Sequence, residues 1–365
     1  MKKLLLAALM VPAFGAMAQQ RTPLFEMHTS STCPPCKPGN EILKGVLDGK
    51  PASEYVLVKY QASFPGAGDP YNTAEAHSRR QSYYAVNSVP RLEIDGGYDK
   101  NPNPSSANPS GFTNADYTAA RNIPAKYSLS GAYTYNAGSK TITAKVNYGP
   151  LVAAAAAAGA KLHVVIIESV TDNNVKNNGE SKFYNVVKKM LPDQNGTGIN
   201  PPLTVGATKS TTLSFQFKGN YRLPADGQPS SYINHAMEHS VEDFANLKVV
   251  AWVQGANKEV YQAANLMKVN SLDVNDVAHT MTDVSVFPNP ATNKVNIDLN
   301  LVGADNVTAL IVDLEGKVVA QTSVMMKAGK NQLSLDTQNL VSGYYNVIIV
   351  DSKSNSHTAK LTVVH

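Results

Sequence analysis

The pattern of apolar and polar positions predicts a chain that is mostly strand, with few helices. Residues 140–146 alternate polar and apolar side chains, as expected of a strand with one buried face. Residues 162–167 and 247–253 are nearly continuous apolar runs rich in β-branched residues, which predicts buried strands. Residues 24–28 and 55–60 also have the pattern of strands.

A helical pattern of apolar residues follows the strand predicted at 24–28. Four apolar residues within 42–47 fall on one face of a helix, so a helix is expected to begin close to the cysteines that precede it. A second helix is expected over 74–85. Pro90 then begins a strand that ends in the glycine pair 96–97.

Three compositional zones predict three folded domains. Residues 19–123 mix strand and helix patterns and include a loop rich in Pro, Asn and Ser at 101–106. Residues 124–270 are dominated by strands, and 271–283 form a polar linker. Residues 284–365 again show short strands with frequent turns. We therefore expect a multidomain protein in which an α/β domain precedes two β-sandwich domains.

The segment Met1 to Ala18 has the pattern of a secretory signal peptide. Lys2 and Lys3 precede an apolar run at 4–14, and small residues end the segment, which predicts cleavage before Gln19. Without the two lysines the formal charge falls from +4 to +2, which argues against a nucleic-acid partner. The apolar run 151–160 is about half as long as a membrane-spanning helix, so no transmembrane span is expected.

The candidate chemistry lies in two cysteines, Cys33 and Cys36, separated by two prolines. This spacing lets one helical turn bring both sulfurs within disulfide reach, and export favours disulfide formation. A zinc site would need further ligands, and the chain has no third cysteine and no histidine pair at finger spacing. The leading interpretation is a redox-active couple; a structural disulfide and a metal site remain as alternatives. No cofactor is expected.

A strand, a C-x-x-C motif at a helix start and a strand entered through proline together resemble the thioredoxin fold. The resemblance implies that Cys33 is the exposed nucleophile and Cys36 the resolving thiol. It implies a cis peptide bond at Val89–Pro90 beside the sulfurs, a bond type that is uncommon and usually structural or functional. It also makes Glu26 the candidate for a buried acid on the preceding strand. Such a protein would exchange disulfides with protein thiol substrates.

A second pattern, His235, Glu238 and His239, fits the H-x-x-E-H motif of inverted zinc proteases. A loop precedes it, and the strand at 247 leaves room for only a short helix, so we interpret these as surface histidines and expect no metal. His163, inside a strand pattern, is interpreted as a core or edge residue and not as a haem ligand.

Segments across the first two zones resemble a secreted Bacteroidetes family related to outer membrane protein 28. They are residues 25–30 before the cysteines, followed by 69–71, 83–84, 89–90, 183–187, 190–192 and 249–254. The resemblance implies an immunoglobulin-like second domain and a surface or outer-membrane location. It also leaves open a different function, a non-enzymatic binding or adhesion protein, a haem-binding one included, whose disulfide is structural.

The last zone resembles the type A C-terminal sorting domain of type IX secretion. The resemblance rests on four segments in order: 286–292, 310–319, 340–345 and 360–364. It implies that residues 284–365 engage the type IX machinery and that the protein is secreted or held at the cell surface.

Overall fold

The computed structural model describes residues 20–97, 108–156, 159–270, 281–313, 318–351 and 356–365. The predicted signal peptide, the loop at 101–106 and residues 271–280 of the predicted linker lie outside these ranges. The chain divides into two compact units, Met1–Asn270 and Ser271–His365, which are described separately.

The first unit contains three α-helices and fourteen strands in its described residues. The helices are α1 (Cys36–Leu47), α2 (Ala74–Ser78) and α3 (Asn114–Arg121), and the π-helical turn Arg79–Tyr83 continues α2. The strands are β1 (Leu24–Thr29), β2 (Val56–Gln61), β3 (Arg91–Ile94), β4 (Tyr127–Asn136), β5 (Thr141–Pro150), β6 (Lys161–Thr171), β7 (Phe183–Leu191), β8 (Thr197–Gly198), β9 (Lys209–Gln216), β10 (Asn220–Tyr221), β11 (Glu238–His239), β12 (Leu247–Gln254), β13 (Val260–Asn265) and β14 (Met267–Lys268).

One large mixed sheet organises this unit. Its strand order is β13-β12-β6-β7-β2-β1-β3, with β8 added beside β6. β1 and β2 are parallel and are joined through α1, whereas β3 is antiparallel to β1. β2 also pairs with β7 in parallel through Lys59 and Val186. The sheet therefore runs without a break through both of the regions predicted as separate domains, 19–123 and 124–270.

Alternation along β6 supplies two cores on opposite faces of the sheet. Leu162, Val164 and Ile166 pack with the four-stranded sheet β14-β4-β5-β9. Val165 and Ile167 pack on the other face with residues of β1, β2 and β12 and with α2. A third core joins β1 to α1 and α3. Side chains two apart on a strand share a face, so each strand contributes to two layers.

The second unit is built from two sheets around one apolar core. Its strands are β15 (Met281–Phe287), β16 (Lys294–Leu301), β17 (Asp305–Val312), β18 (Val318–Met326), β19 (Gly329–Asp336), β20 (Gly343–Val350) and β21 (Ser356–Val363). The sheet orders are β15-β16-β19 and β18-β17-β20-β21, and both contribute to one hydrophobic cluster. The strand β15 begins inside the predicted linker, at Met281.

The structure is therefore mostly β-sheet, in several sheets and more than one unit. The five strand predictions made from apolar patterns are confirmed by β1, β2, β5, β6 and β12. The helix expected over 74–85 forms as α2 and the π-helical turn.

Candidate functional site

The two cysteines lie where β1 ends and α1 begins. Cys36 is the first residue of α1, Cys33 lies in the loop before it, and the two form a disulfide with Cα atoms 5.3 Å apart. The Cys33 amide donates to the Ser30 carbonyl at 3.1 Å, and the Cys36 amide donates to the Cys33 carbonyl at 3.0 Å. Free amides at a helix N-terminus stabilise negative charge, so this position favours a thiolate once the disulfide is reduced.

The strand entered through proline lies beside the pair. The Val89–Pro90 peptide bond is cis, which confirms the prediction from the sequence. The Val89 carbonyl oxygen lies 3.6 Å from the Cys33 sulfur. Gly39 permits a close approach here, because a Cβ at this position would lie 3.2 Å from Pro90 Cγ and 2.7 Å from Pro109 Cγ. Pro90 therefore packs against the first turn of α1.

Both cysteines are buried. Cys33 is 1% exposed and Cys36 is 0% exposed, while Pro34 and Pro35 between them are exposed. The thioredoxin resemblance implies an exposed Cys33, and the structure differs on this point. In this conformation a partner can touch the loop between the sulfurs but not the Cys33 sulfur itself.

A buried carboxylate orders the loop before the cysteines. Asp69 accepts hydrogen bonds from the Ser31 amide at 2.9 Å, the Tyr71 amide at 2.9 Å and the Asn174 side chain at 3.1 and 3.2 Å. Burial raises the pKa of Asp69, and these hydrogen bonds oppose the shift. Asp69 was not predicted as a functional residue; its Asp-Pro-Tyr segment contributed only to the family resemblance.

A segment from after β6 closes over the same loop. The Asn178 amide donates to the Ser31 carbonyl at 3.0 Å, and its side chain donates to the Ser30 carbonyl at 3.1 Å. On the other side, the Thr32 hydroxyl donates to the Pro65 carbonyl at 2.8 Å. Two loops far apart in sequence therefore hold the cysteine loop in place.

An open groove runs beside these contacts. Its volume is about 610 Å³, and its walls come from the cysteine loop (Thr32, Pro34), from 65–67 and from 176–177. The volume lies within the usual range of about 300–1,000 Å³ for binding clefts. A polypeptide segment lying in this groove would contact Pro34 directly.

Glu26 is fully buried, but it lies on the opposite face of the sheet from α1. Its neighbour Phe25 packs with the core of α1, so alternation turns Glu26 to the other side. There its carboxylate accepts two hydrogen bonds from Arg79, at 2.8 and 3.1 Å, and further ones from the hydroxyls of Tyr60 and Tyr84. Its role as an acid for the cysteines stays a prediction. In the structure, Glu26 forms a buried ion pair with Arg79.

A polar cluster beside α1 was not predicted. The Lys59 ammonium donates to Asn40 Oδ1 at 2.8 Å, and Asn40 Nδ2 donates to both Glu180 oxygens at 3.1 Å. Burial lowers the pKa of Lys59 to about 8 and raises that of Glu180. These residues line a cavity of about 360 Å³ along α1. The sequence feature that could have indicated this cluster is Asn40, a polar residue on the apolar face of an amphipathic helix.

The residues of the H-x-x-E-H pattern make separate contacts, and the interpretation as surface histidines is wrong for His239, which is buried. Glu238 pairs with Arg222 at 2.7 Å, His235 packs edge-on against Phe215, and Glu238–His239 is a short strand and not a helix. Among the described residues, no group of three or more His, Cys, Asp or Glu side chains is arranged to hold a metal ion.

Comparison with known proteins identifies the C-terminal part of the chain. Residues 285–364 match the family described as the secretion system C-terminal sorting domain. No curated protein matches the chain with significant similarity. Within the described residues, no helix combines the length and the apolar character needed to cross a membrane.

Solved structures show more distant similarity. HBP35 of Porphyromonas gingivalis matches with 14% identity and a TM-score of 0.48, over 95% of this chain and 99% of that one. CopC from Methylosinus trichosporium OB3b matches with 23% identity and a TM-score of 0.18, over 23% of this chain and 90% of that one. A biofilm-associated protein BSP domain matches with 13% identity and a TM-score of 0.22, over 65% of this chain and 51% of that one. The family match confirms the prediction for the last zone: residues 285–364 are a type IX sorting domain, which directs this protein to the cell surface or outer membrane.

Proposed function

We propose that this surface-sorted protein carries out thiol–disulfide exchange on extracytoplasmic protein substrates at Cys33 and Cys36. The observation that carries the proposal is the joint placement of the disulfide at the start of α1, the Val89 carbonyl 3.6 Å from the Cys33 sulfur, and Pro90 packed against the first turn of α1. The parallel β1-α1-β2 arrangement with antiparallel β3 supports a thioredoxin-like architecture for residues 19–123.

The exchange requires only thiols. A substrate thiolate attacks the Cys33 sulfur, forms a mixed disulfide and releases Cys36 as a thiolate at the helix N-terminus. A second substrate thiolate then attacks the substrate sulfur of that mixed disulfide and releases Cys33. The substrate dithiol loses two electrons and two protons as it becomes a disulfide, and the protein gains them as a dithiol. Because the chain has no third cysteine, every other thiol comes from the partner.

Access to Cys33 sets a condition on this reaction. Cys33 is buried in the structure, so a substrate that enters the groove beside Pro34 reaches the sulfur only if the surrounding loop moves. We assign Pro90 to shaping the wall that the substrate meets next to the sulfurs. The requirement predicts faster exchange with flexible protein segments than with rigid ones.

The reduction potential of the pair tests the proposal. The mature chain, beginning at Gln19, is equilibrated with glutathione buffers of set ratio, and free thiols are then labelled and counted. The variant with both Cys33→Ser and Cys36→Ser gives the labelling background. A potential between roughly −120 and −270 mV is expected of an exchange protein. A potential below about −300 mV would identify a structural bridge and overturn the proposal.

The burial of Cys33 supports a second candidate, a surface-binding protein whose disulfide only stabilises the cysteine loop. In that case reduction would lower the stability of the first unit, and the reduced protein would transfer no electrons to a disulfide-containing peptide. The bridge joins two cysteines only three positions apart, and short loops gain little from the chain-entropy effect of a disulfide. This makes a purely structural role the weaker of the two.

A further inference from the structure

A second cavity lies away from the cysteines, under the π-helical turn Arg79–Tyr83. It measures about 170 Å³ and is enclosed by this turn, by the start of β6 and by the loop after β7. The polar groups that line it include Arg79, Lys161 and His163, with the hydroxyl of Ser82 and the amide of Asn195. None of the described residues lining it carries a carboxylate.

Several contacts fix the Arg79 guanidinium, but one of its three nitrogens has no hydrogen-bond partner. Its Nε and Nη2 donate to Glu26, and Nη2 also donates to Gln254 at 2.7 Å. The guanidinium carbon lies 4.3 Å from the ring centre of Tyr83 and 5.3 Å from that of Trp252. The residue is 0% exposed, yet Nη1 has no hydrogen-bond partner. A buried charged donor without an acceptor is unfavourable, so a ligand that accepts this hydrogen bond would be favoured.

His163 lies on β6 and is 2% exposed, which confirms its predicted place in a strand core. Its ring stacks on Trp252 with centroids 5.1 Å apart, and its Nδ1 also lacks a partner. Burial, and then the charges of Arg79 and Lys161, lower its pKa, so the ring is neutral at pH 7 and keeps one N–H to donate. Gly196 lies against it, because a Cβ there would come within 2.8 Å of Nδ1.

The charges around the cavity are unequal. Glu26 neutralises Arg79 from the far side of the guanidinium, while Lys161 is exposed at the cavity and adds one positive charge. The loop after β7 contains one acidic residue, Asp193. Its carboxylate accepts a hydrogen bond from the backbone amide of Asn195 at 2.7 Å, and it does not line the cavity. One exposed lysine and two residues with unpartnered buried nitrogens line the same cavity, and this combination suits an anion with several acceptor oxygens.

We propose that this cavity binds a small oxyanion, either a free ion or the phosphate, sulfate or carboxylate group of a small solute. Arg79 Nη1 and His163 supply buried donors, Lys161 supplies charge at the entrance, and Ser82 supplies a hydroxyl. The volume suits a group of this size with a few waters, since one water occupies roughly 30 Å³ in the liquid. The inference is independent of the thiol chemistry proposed above.

Trp252 makes the proposal directly measurable, because it is the one tryptophan of the chain and contacts both His163 and Arg79. Inorganic phosphate, and in separate titrations sulfate and acetate, is added to the mature chain beginning at Gln19, at constant ionic strength. We expect a saturable change in tryptophan fluorescence with one of these anions. Saturation by phosphate or sulfate alone would point to a tetrahedral group, and saturation by acetate to a carboxylate.

Variants at exposed cavity positions keep the test independent of folding. Lys161→Gln is expected to weaken binding by roughly tenfold, and Ser82→Leu to abolish it by filling the entrance. Lys248→Gln is the matched control, because Lys248 is also exposed and lies at the far end of the same strand pair, opposite Ile167. A response that does not saturate for any anion, or equal affinities in the Lys161 and Lys248 variants, would overturn the proposal.

Discussion

The interiors of the two units differ in what they bury. In the first unit Glu26 and Arg79 lie together at 0% exposure, and charged groups such as Asp69 and Lys188 are buried as well. In the second unit the buried polar or charged residues among those described are Thr337 and Asp351. The second unit relies on apolar alternation, whereas the first adds specific polar contacts to its apolar cores.

The polar contacts of the first unit join segments that are far apart in sequence. Arg79 links Glu26 of β1 to Gln254 of β12, and Lys188 of β7 pairs with Glu168 of β6 at 3.1 Å. Buried ion pairs add little net stability over apolar packing, but leaving one partner alone is costly. The difference suggests that the first unit uses the Glu26–Arg79 pair to fix the geometry of the cavity that Arg79 lines.

The largest expected effect comes from breaking the central pair. Glu26→Gln leaves the Arg79 guanidinium buried without its counter-charge, so the free energy of unfolding of the first unit should fall by about 3–5 kcal/mol. Urea denaturation of the chain from Gln19 onwards, the predicted mature form, measures this. Glu41→Gln removes the exposed pair with Lys37 and should change it by less than about 0.5 kcal/mol. Similar losses in the two variants would contradict the role given to burial.

The next effect is a pH dependence caused by His28. Burial, and then the charges of Arg79, Arg80 and Arg91, lower its pKa from 6.5 to about 3, and neither ring nitrogen has a partner. As the pH falls from 6.5 towards 3, the unfolded chain takes up a proton that the folded chain refuses, so stability is lost in this window. The loss is about 3 kcal/mol at pH 4.

His28→Phe tests this, because phenylalanine keeps the stacking on Tyr60, whose ring centre lies 5.2 Å away. The variant should be at least as stable as the natural chain at pH 7 and should lose about 3 kcal/mol less between pH 7 and pH 4. Unfolding curves at several pH values give the difference. Parallel pH profiles for the two proteins would rule out His28 as the cause.

An uncharged polar atom placed in the core of the second unit should already lower the stability of that unit. Val347 is 0% exposed in β20, and Val347→Thr keeps its shape while adding a hydroxyl, so unfolding of this unit should become easier by about 2 kcal/mol. Val341 is 79% exposed, and Val341→Thr should stay within about 0.5 kcal/mol. Thermal unfolding monitored on the second unit separates them. If Val347→Thr is neutral, the apolar interior is not a requirement of this unit.

The local parts of the fold were predictable from the sequence. Alternation identified β5, apolar runs identified β6 and β12, and the motif around the cysteines led to the cis bond at Pro90. Each of these depends on neighbours within a few residues, or on a family pattern that spans one supersecondary unit. The successive short strands of the second unit could be predicted for the same reason.

The contacts that shape the sites were not predictable. Nothing around Arg79 in the sequence shows that its partner is Glu26, 53 residues earlier, or that Gln254 joins them. In the same way, nothing in the sequence shows that Cys33 is buried, or that Pro65 and Asn178 contact the loop that precedes it. Such contacts arise only when the chain has folded, because sequence periodicity reports which face is buried and not which residue lies opposite.

The smallest expected effect separates polarity from burial inside the first unit. Thr113 caps α3 in an exposed position, where its hydroxyl accepts from the Asp116 amide and the Asp116 carboxylate accepts from the Thr113 amide at 2.7 Å. Thr113→Ala should lower the free energy of unfolding by about 1 kcal/mol, and Thr113→Ser, which keeps the hydroxyl, by much less. Urea denaturation of both variants measures it. Thr113 is exposed, although its partner Asp116 is buried. A loss as large as that of Glu26→Gln would therefore show that a polar contact of an exposed side chain matters as much as a fully buried one in this unit, and the contrast between the two interiors would no longer rest on burial.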